Sequence, residues 1–230
     1  MLERPDESFY LEQTEQGLAL RHQIDKTICL HLDFTSGALA WRLKTAGRKQ
    51  PLAKAVGFHL KSDLKILDVT AGLGRDVLFL AHLGADVTLL ERHPLISSLL
   101  ADAIYRLGLQ SQYTELSKRL HHDCVDSCVF MQECLDKEHC FFDVIYLDPM
   151  FPPRRKSALV KKDLQYLHAL LGQTIEQADL LLLALQLARQ RVVVKRPAWA
   201  APLSDKKPSY CIESKLLRYD VYITNGTEFT

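Results

Sequence analysis

Short apolar runs that alternate with helix-like stretches constrain the fold of this chain more than any other feature of its sequence. Four such runs follow Pro51, at residues 64–69, 86–90, 143–147 and 192–194. Short runs that are mostly apolar are typical of strands buried on both faces. Because helix-like stretches separate these runs, the pattern predicts an α/β fold with a parallel sheet covered by helices on both sides.

Two of the intervening helices carry sequence signals at their ends. Pro94 suits a first helical position, apolar residues follow at helical spacing, and Gly108 is suited to ending the helix. Thr174 and Gln177 together resemble a capping box. They predict that a second helix begins there and runs to about Arg189. Each helix lies between two of the apolar runs, where parallel strands need a crossover.

The two ends of the chain depart from this pattern. Residues 9–42 contain stretches of partial alternation, which predict a small β-rich appendage over residues 1–60. Residues 210–214 and 218–223 are joined by only a few residues and predict an antiparallel pair. We therefore expect a main domain over residues 61–230, built on a mostly parallel Rossmann-like sheet with an antiparallel C-terminal hairpin.

Composition restricts where such a chain can work. Its 230 residues are 47% hydrophobic, enough for a large core that needs no disulfide or metal for stability. Residues 1–20 are rich in acidic side chains, unlike a secretory leader, and the apolar run 180–187 is too short to span a bilayer. We expect a cytoplasmic protein with reduced cysteines and no membrane association.

Histidines and cysteines crowd residues 121–140 and could suggest a metal site. No two cysteines there have the two-residue separation common in zinc sites, so we expect no metal. Cys124 and Cys128 are interpreted instead as small buried apolar residues.

Basic residues are concentrated in two parts of the chain, although 29 basic and 28 acidic residues give a net charge of only +1. Residues 34–62 contain no acidic side chain and include Trp41, and a second cluster lies at residues 154–162. These segments are either phosphate-binding surfaces or ordinary solvated faces. The basic residues of the first segment are Arg42, Lys44, Arg48, Lys49, Lys54 and Lys61.

The segment after the first apolar run, residues 67–76, reads LDVTAGLGRD and joins a strand to a helix. Gly72 and Gly74 permit a sharp turn and a close approach to a ligand at the carboxyl edge of the sheet. A tight turn also needs glycine without any ligand. Val77 occupies the position where a dinucleotide fingerprint has Gly or Ala, which argues against NAD.

Acidic residues accompany this loop. Glu91 ends the second run, where a carboxylate can accept hydrogen bonds from both ribose hydroxyls of a nucleoside, or can simply end an exposed strand. Arg92 either flanks the adenine or faces solvent. Asp68 either orients the loop or a ligand amino group, or caps the next helix. These segments resemble motifs I and II of class I S-adenosylmethionine methyltransferases, with Thr70 where the usual pattern has glycine.

The third run delivers the sequence DPMFPP, residues 148–153, to the same edge. An exocyclic base amine is a poor nucleophile, because its lone pair is delocalised, and needs acceptors for its N–H groups. Asp148 offers a carboxylate, Pro149 a carbonyl and Phe151 a ring for stacking a base. A structural turn is the alternative. The motif resembles the DPP[YF] pattern of amino-methyltransferases, and Met150 favours the guanine-N2 group over the adenine-N6 group.

Four longer stretches together resemble the ribosomal RNA small subunit methyltransferase J family. They are residues 70–76, 146–152, 156–162 and 192–197. The resemblance implies methyl transfer from S-adenosylmethionine to the N2 amine of a guanosine in small-subunit ribosomal RNA, either naked or in a ribosomal particle. The alternatives are a methyltransferase for DNA adenine, protein or a small molecule, and a non-catalytic RNA-binding or assembly protein on the same fold.

The same resemblance implies roles for individual residues. Cofactor contacts are expected from Arg75, Asp76, Glu91, Arg92 and Asp148, with Asp126 and Ser127 flanking the adenine. Asp148 thus combines cofactor contact with its role as amine acceptor. RNA contacts are expected from Arg154, Arg155, Lys156, Lys161, Lys162, Lys195 and Arg196. For Lys195 and Arg196 a structural ion pair is the alternative.

Overall fold

The computed structural model describes residues 8–45, 47–137, 142–149 and 177–224. Its strands are β1 (Phe9–Thr14), β2 (Gly17–His22), β3 (Cys29–His31), β4 (Lys65–Asp68), β5 (Asp86–Leu90), β6 (Leu120–Asp123), β7 (Phe142–Leu147), β8 (Ala188–Pro197), β9 (Tyr210–Glu213) and β10 (Leu217–Ile223). Its helices are α1 (Gly37–Thr45), α2 (Pro51–Val56), α3 (Arg75–His82), α4 (Pro94–Gly108), α5 (Thr114–Ser117), α6 (Ser127–Lys137) and α7 (Gln177–Leu187).

The larger sheet has the strand order β6-β5-β4-β7-β8-β10-β9. Strands β6, β5, β4, β7 and β8 are parallel, whereas β10 runs antiparallel to both β8 and β9. The smaller sheet contains β1, β2 and β3 in antiparallel order. The predicted fold class is therefore confirmed, including the C-terminal hairpin and the strands near the N-terminus.

Alternate residues of the central strands face two apolar clusters, one on each side of the sheet. Ile66, Val144 and Val193 pack in a cluster with residues of α2, α3 and α4. Leu67 and Ile145 point the other way, into a cluster formed with α6 and α7. Because helices cover both faces, these strands need apolar side chains on both, which explains their nearly continuous apolar sequences.

The boundary between α7 and β8 differs from the prediction. The helix ends at Leu187, two residues before the predicted Arg189, and β8 is much longer than the apolar run 192–194. Pairing explains the difference, because Ala188 pairs with Phe142 of β7, and Arg191 pairs with both β7 and β10. Thr174 of the predicted capping box lies outside the described residues. No helix of the described ranges is both long and apolar enough to cross a membrane.

One of the two cysteines predicted to be buried is on the surface. Cys124 is exposed, because it lies in the connection between β6 and α6 rather than in an element packed on the sheet. Cys128 is partly buried on the first turn of α6.

The N-terminal sheet packs directly on α4. Phe9 and Leu20 belong to the same apolar cluster as the helices on that side of the main sheet. Asp102 of α4 ties the two parts together, because its Oδ2 accepts hydrogen bonds from the backbone N–H of Leu18 (3.1 Å) and from Nε of Arg106 (2.8 Å). Arg106 also donates from Nη2 to the carbonyl of Leu32, just after β3.

Two helices, α1 and α2, complete the segment that was predicted as a β-rich appendage. Leu52 and Val56 of α2 are almost fully buried, and this helix packs on β8, β9 and β10. Residues on both sides of the boundary predicted at residue 60 thus contribute to one core.

Candidate active site at the carboxyl edge of the sheet

The carboxyl ends of four parallel strands lie side by side. The register pairs Asp68 of β4 with Leu89 of β5 and Tyr146 of β7, and pairs Leu90 of β5 with Asp123 of β6. The chain leaves these strands at one edge through the segments that carry the residues predicted for a site. These are the glycine loop, Glu91, Asp126 with Ser127, and Asp148 with Pro149.

The two glycines of the loop have different surroundings. Both have positive φ angles, 52° for Gly72 and 68° for Gly74, which favour glycine. A Cβ added to Gly72 would meet only the carbonyl oxygen of Thr70, at 3.8 Å, among the described residues. A Cβ on Gly74 would lie 2.7 Å from Leu100 and 3.0 Å from the ring of Phe34. Gly72 therefore leaves open space for a ligand, whereas Gly74 allows α3 to pack on the core.

Glu91 connects the glycine loop to the end of β5. Its Oε2 accepts a hydrogen bond from the backbone N–H of Gly72 (3.1 Å), and its Oε1 accepts one from that of His93 (2.8 Å). Burial raises the pKa of Glu91, which is 6% exposed, and the two backbone N–H groups oppose this rise. Each carboxylate oxygen can accept a second hydrogen bond, so both remain suited to ribose hydroxyls. Arg92, the next residue, is exposed.

Asp68 and Thr70 link the glycine loop to β7. Oδ1 of Asp68 accepts hydrogen bonds from the backbone N–H (2.8 Å) and hydroxyl (3.2 Å) of Thr70. The Thr70 hydroxyl oxygen in turn accepts a hydrogen bond from the backbone N–H of Asp148, at 2.6 Å. Burial raises the pKa of Asp68 to about 8, and the hydrogen bond from the backbone N–H of Thr70 opposes this rise. The hydroxyl group of Thr70 thus links the ends of β4 and β7.

A group of charged side chains lies beside these residues. The ammonium group of Lys195 is 2.7 Å from Oδ2 of Asp76 and 2.7 Å from Oδ2 of Asp148. Nη1 of Arg42 donates to Oδ1 of Asp76 at 2.8 Å, and the hydroxyl of Tyr146 donates to its Oδ2 at 2.8 Å. The charges at the base of the site therefore alternate in the order Arg42, Asp76, Lys195 and Asp148.

The electrostatic states of these groups follow from their pairing. Burial acts to raise the pKa of Asp76, but the charges of Lys195 and Arg42 lower it to about 2. Burial acts to lower the pKa of Lys195, yet its two carboxylate partners raise it above the ordinary value. Burial raises the pKa of Asp148 and the Lys195 ammonium opposes that rise. The Asp148 side chain is 40% exposed, against 11% for Asp76, so Asp148 is the accessible end of the charged group.

Asp126 and Ser127 lie at the start of α6. Oδ1 of Asp126 accepts hydrogen bonds from the backbone N–H groups of Cys128 (2.9 Å) and Val129 (3.3 Å), and so caps the helix. The buried hydroxyl of Ser127 donates to the carbonyl of Val69 at 2.6 Å. These bonds fix the start of α6 beside the end of β4, at the edge where the glycine loop begins.

The remaining predicted residues divide into three groups. Arg75 is exposed and Pro149 is buried at the edge of the site. Lys195 forms structural ion pairs, the alternative to an RNA contact. Arg196 is 3% exposed and donates to the carbonyl of Ala201. The predicted residues outside the described ranges are Phe151, Arg154, Arg155, Lys156, Lys161 and Lys162.

Three contributors to the site had no specific signal in the sequence. In the sequence Arg42 is one of several basic residues of the N-terminal segment, yet in the structure it pairs with Asp76, and its guanidinium lies 4.6 Å from the ring centre of Phe79. In the sequence Thr70 stands out only as a departure from glycine, and Tyr146 only as part of a strand. A signal existed for Lys195, because the end of a parallel strand beside β7 places it at the same edge.

The residues present fit a nucleoside cofactor. The Glu91 carboxylate is buried and oriented by two backbone N–H groups, and open space lies beside Gly72. Together with the strand order, this edge defines a class I S-adenosylmethionine-dependent methyltransferase. A family model described as "Putative SAM-dependent methyltransferase" matches residues 1–224. The chain belongs to the ribosomal RNA small subunit methyltransferase J family, as its relatives establish, and its cofactor is S-adenosyl-L-methionine.

Those relatives match most of the chain. Ribosomal RNA small subunit methyltransferase J of Colwellia psychrerythraea is 41% identical over 96% of this chain and 80% of its own length. The protein of the same name from Pseudoalteromonas atlantica is 43% identical over 94% and 85%, respectively. The crystal structure of an S-adenosylmethionine-dependent methyltransferase from Neisseria gonorrhoeae is 34% identical, with a TM-score of 0.77 over 99% of this chain and 88% of that one.

Proposed function

We propose that this protein transfers the methyl group of S-adenosylmethionine to the exocyclic N2 amine of a guanosine in small-subunit ribosomal RNA. The partly exposed carboxylate of Asp148, at the same edge as the glycine loop and Glu91, carries the proposal. The relatives named small subunit methyltransferase J support the substrate class. The RNA is proposed to be bound in the cytoplasm, either naked or in a ribosomal particle.

The cofactor is proposed to lie between the glycine loop and the end of β5. Its sulfonium supplies an electrophilic methyl group. Glu91 would accept hydrogen bonds from the ribose hydroxyls, and Asp68 would orient the loop through Thr70. The proposed cofactor contacts are Asp68, Gly72, Gly74, Arg75, Asp76, Glu91, Arg92, Asp126, Ser127 and Asp148. Asp76 would also support the site through its ion pairs with Arg42 and Lys195.

Asp148 is proposed to act on the amine itself. As the bond from nitrogen to the methyl carbon forms and the bond from sulfur to that carbon breaks, positive charge develops on the amine. A carboxylate that accepts a hydrogen bond from the amine stabilises this charge and later takes up the proton that the amine loses. Pro149 would offer a carbonyl to the second N–H, and Phe151 a stacking surface. This chemistry needs alignment and acceptance of charge rather than deprotonation before attack.

Substrate RNA is proposed to contact both basic segments. Trp41 is 68% exposed on α1, and Lys44, Arg48 and Lys49 around it are exposed. The neighbouring Arg42 reaches into the site, so α1 lies at its border. Basic side chains suit phosphates and an exposed indole suits an unpaired base. The cluster at residues 154–162 is proposed to contact the same RNA.

The proposal is tested with tritiated S-adenosylmethionine and three substrates in parallel: naked small-subunit RNA, small-subunit particles and DNA. After digestion, the label is expected in N2-methylguanosine from RNA or particles. Label in DNA adenine would indicate a different methyltransferase. RNA binding without any label would indicate a non-catalytic protein.

Asp148→Asn provides the matched variant in this assay. It keeps the shape of the side chain, removes its charge and places an amide where an acceptor is needed. Methyl transfer at saturating S-adenosylmethionine is expected to fall roughly 100-fold or more. Asp136→Asn, at an exposed aspartate on the last turn of α6, serves as the control. A folded Asp148→Asn protein with near-normal single-turnover transfer would remove Asp148 from the chemistry.

A further inference from the structure

Asp148 is held from two sides by residues that are remote from it in the sequence. Its backbone N–H donates to the hydroxyl of Thr70 at 2.6 Å, and its carboxylate accepts from the ammonium of Lys195 at 2.7 Å. We infer that Thr70 and Lys195 are positioning residues for the methyl transfer, one for the backbone of Asp148 and the other for its carboxylate. This inference rests on the function proposed for Asp148.

The Thr70 hydroxyl continues the pairing of β4 with β7 beyond the end of the ladder. The ladder ends at the pair Asp68 and Tyr146, and the backbone N–H of Val69 still donates to the carbonyl of Tyr146 at 3.1 Å. The next N–H on β7's side, that of Asp148, bonds to the Thr70 side chain instead. Because the hydroxyl donates its proton to Asp68, its oxygen lone pairs are left to accept. The glycine usual at this position has no such group.

Lys195 fixes the carboxylate of Asp148 from the neighbouring strand. Leu147 pairs with Val194 in the ladder of β7 and β8, so the residues that follow them, Asp148 and Lys195, are also neighbours. Within the described part of the chain, the hydrogen bond to this carboxylate goes to Oδ2 and none is made to Oδ1. One oxygen is therefore anchored and the other is left for the amine.

Asp76 also holds Lys195 in this place, through its Oδ2 at 2.7 Å. Tyr146 donates to the same Oδ2, and Arg42 donates to Oδ1, so the Asp76 carboxylate is itself fixed by three groups. The charged or titratable groups around Asp148 come from four strands and one helix of the main sheet: Lys195, Asp76, Asp68, Tyr146 and Tyr219. Among these five, Lys195 is the cation, so its removal leaves Asp148 among acidic groups.

The backbone half of the inference is tested with Thr70→Val and Thr70→Ser. Valine has nearly the shape of threonine but no hydroxyl, whereas serine keeps the hydroxyl. Single-turnover transfer at saturating cofactor and RNA is expected to fall roughly 10- to 100-fold in Thr70→Val, the cost of a misplaced reacting group. Thr70→Ser is expected to be clearly faster, with similar S-adenosylmethionine affinity by calorimetry in both. Equal transfer rates in the two variants would overturn the role of Thr70.

The carboxylate half is tested without any RNA, so that it stays separate from the proposed function. Protein labelled with ¹³C at the aspartate carboxyl carbons is titrated by NMR, and the Asp148 signal is assigned by its loss in Asp148→Asn. Lys195→Met is expected to raise the pKa of Asp148, because the ammonium no longer stabilises its ionised form. Lys118→Met removes an exposed lysine that pairs with Glu115 and is expected to leave Asp148 unchanged. An unmoved Asp148 titration in Lys195→Met would overturn the role of Lys195.

Folding and activity complete the test of Lys195. In the carboxyl titration, Lys195→Met is replaced by the double variant Lys195→Met with Asp76→Asn if the single variant does not fold. The double variant loses one positive and one negative charge, so it leaves no unpaired carboxylate at position 76. With the RNA that the wild type methylates, the acidic limb of the single-turnover pH profile is expected to move to higher pH in Lys195→Met and to return toward the wild type in Lys195→Arg. If the wild type labels no RNA, the proposed function fails while the carboxyl titration still decides the role of Lys195.

Discussion

Three aspartates at the edge of the sheet differ in their access to solvent and therefore in what they can do. Asp68 is buried against Thr70, and this burial raises its pKa, whereas Asp76 is enclosed by Arg42, Lys195 and Tyr146, and the charges of Lys195 and Arg42 lower its pKa against the effect of burial. Asp148 combines an ammonium partner with a side chain that is 40% exposed. A substrate can therefore reach Asp148, while the other two organise the loop and the charges beneath it.

Glu91→Ala tests the nucleoside part of the site. The change removes the carboxylate proposed for the ribose hydroxyls and releases the backbone N–H groups of Gly72 and His93. Cofactor affinity is expected to weaken by about 1.5–3 kcal/mol, the range for hydrogen bonds to a charged partner. Calorimetry measures this, with Glu115→Ala at an exposed glutamate as the control. Unchanged affinity in Glu91→Ala would contradict the assignment.

Single residues of the site were predictable only where their chemistry depends on the local sequence. Glu91 and Asp148 each end an apolar run, and parallel strands deliver such positions to one edge. Arg42 and Thr70 could not be predicted in this way. The pairing of Arg42 depends on how α1 packs on α3, and the bond of Thr70 depends on the register of β4 with β7.

At the level of the elements, the two glycines of the glycine loop meet different physical requirements. Gly72 leaves space for a ligand, and Gly74 lets α3 pack on the core. Gly72→Ala and Gly74→Ala both place a side chain at a positive φ, which costs about 1–2 kcal/mol. Gly74→Ala also forces its Cβ against Leu100 and Phe34, which adds about 1–3 kcal/mol. Urea unfolding is expected to rank Gly74→Ala below Gly72→Ala in stability. The opposite order would show that the loop near Gly72 is the more tightly packed.

Helix α1 presents an exposed tryptophan beside a residue that enters the site. Trp41→Ala is expected to weaken binding of small-subunit RNA by about 1–3 kcal/mol, if one base stacks on the indole. Tyr105→Ala removes an aromatic ring of α4 that is 67% exposed and lies outside the basic segment, so it serves as the control. Fluorescence titration at fixed salt measures both. Equal affinities for the two variants would place the RNA elsewhere.

Elements with strong periodicity and clear ends were predicted with the bounds observed. The strand 86–90 and the helix that begins at Pro94 and ends at Gly108 agree with the structure, because the local sequence marks both their periodicity and their ends. Helices α1 and α2 were not predicted. Both helices are short, and α2 is stabilised by packing on β8, β9 and β10 rather than by its own periodicity. The early start of β8 likewise depends on its two neighbours.

Across the whole molecule, Asp102 connects the N-terminal sheet to the main fold. Asp102→Ala removes the acceptor for Leu18 and the partner of Arg106, which is expected to cost about 1–3 kcal/mol of stability. Amide hydrogen exchange is expected to accelerate in β1 and β2, and to change little in β4 and β7. Asp136→Ala, at an exposed aspartate of α6, is the control. Uniform acceleration throughout the chain would show that the N-terminal sheet does not open separately.

The position of β10 has a consequence for how the protein is made. β10 lies between β8 and β9 and is the partner with which β9 pairs, and all three strands cover α2. While the ribosome is synthesising the chain, Leu52 and Val56 emerge early, whereas β9 and β10, two of the three strands on which α2 packs, leave the exit tunnel only with residues 210–223. The apolar surface of residues 51–56 is therefore fully covered only late in translation, and closure of the sheet is a late event, as contacts between distant segments require.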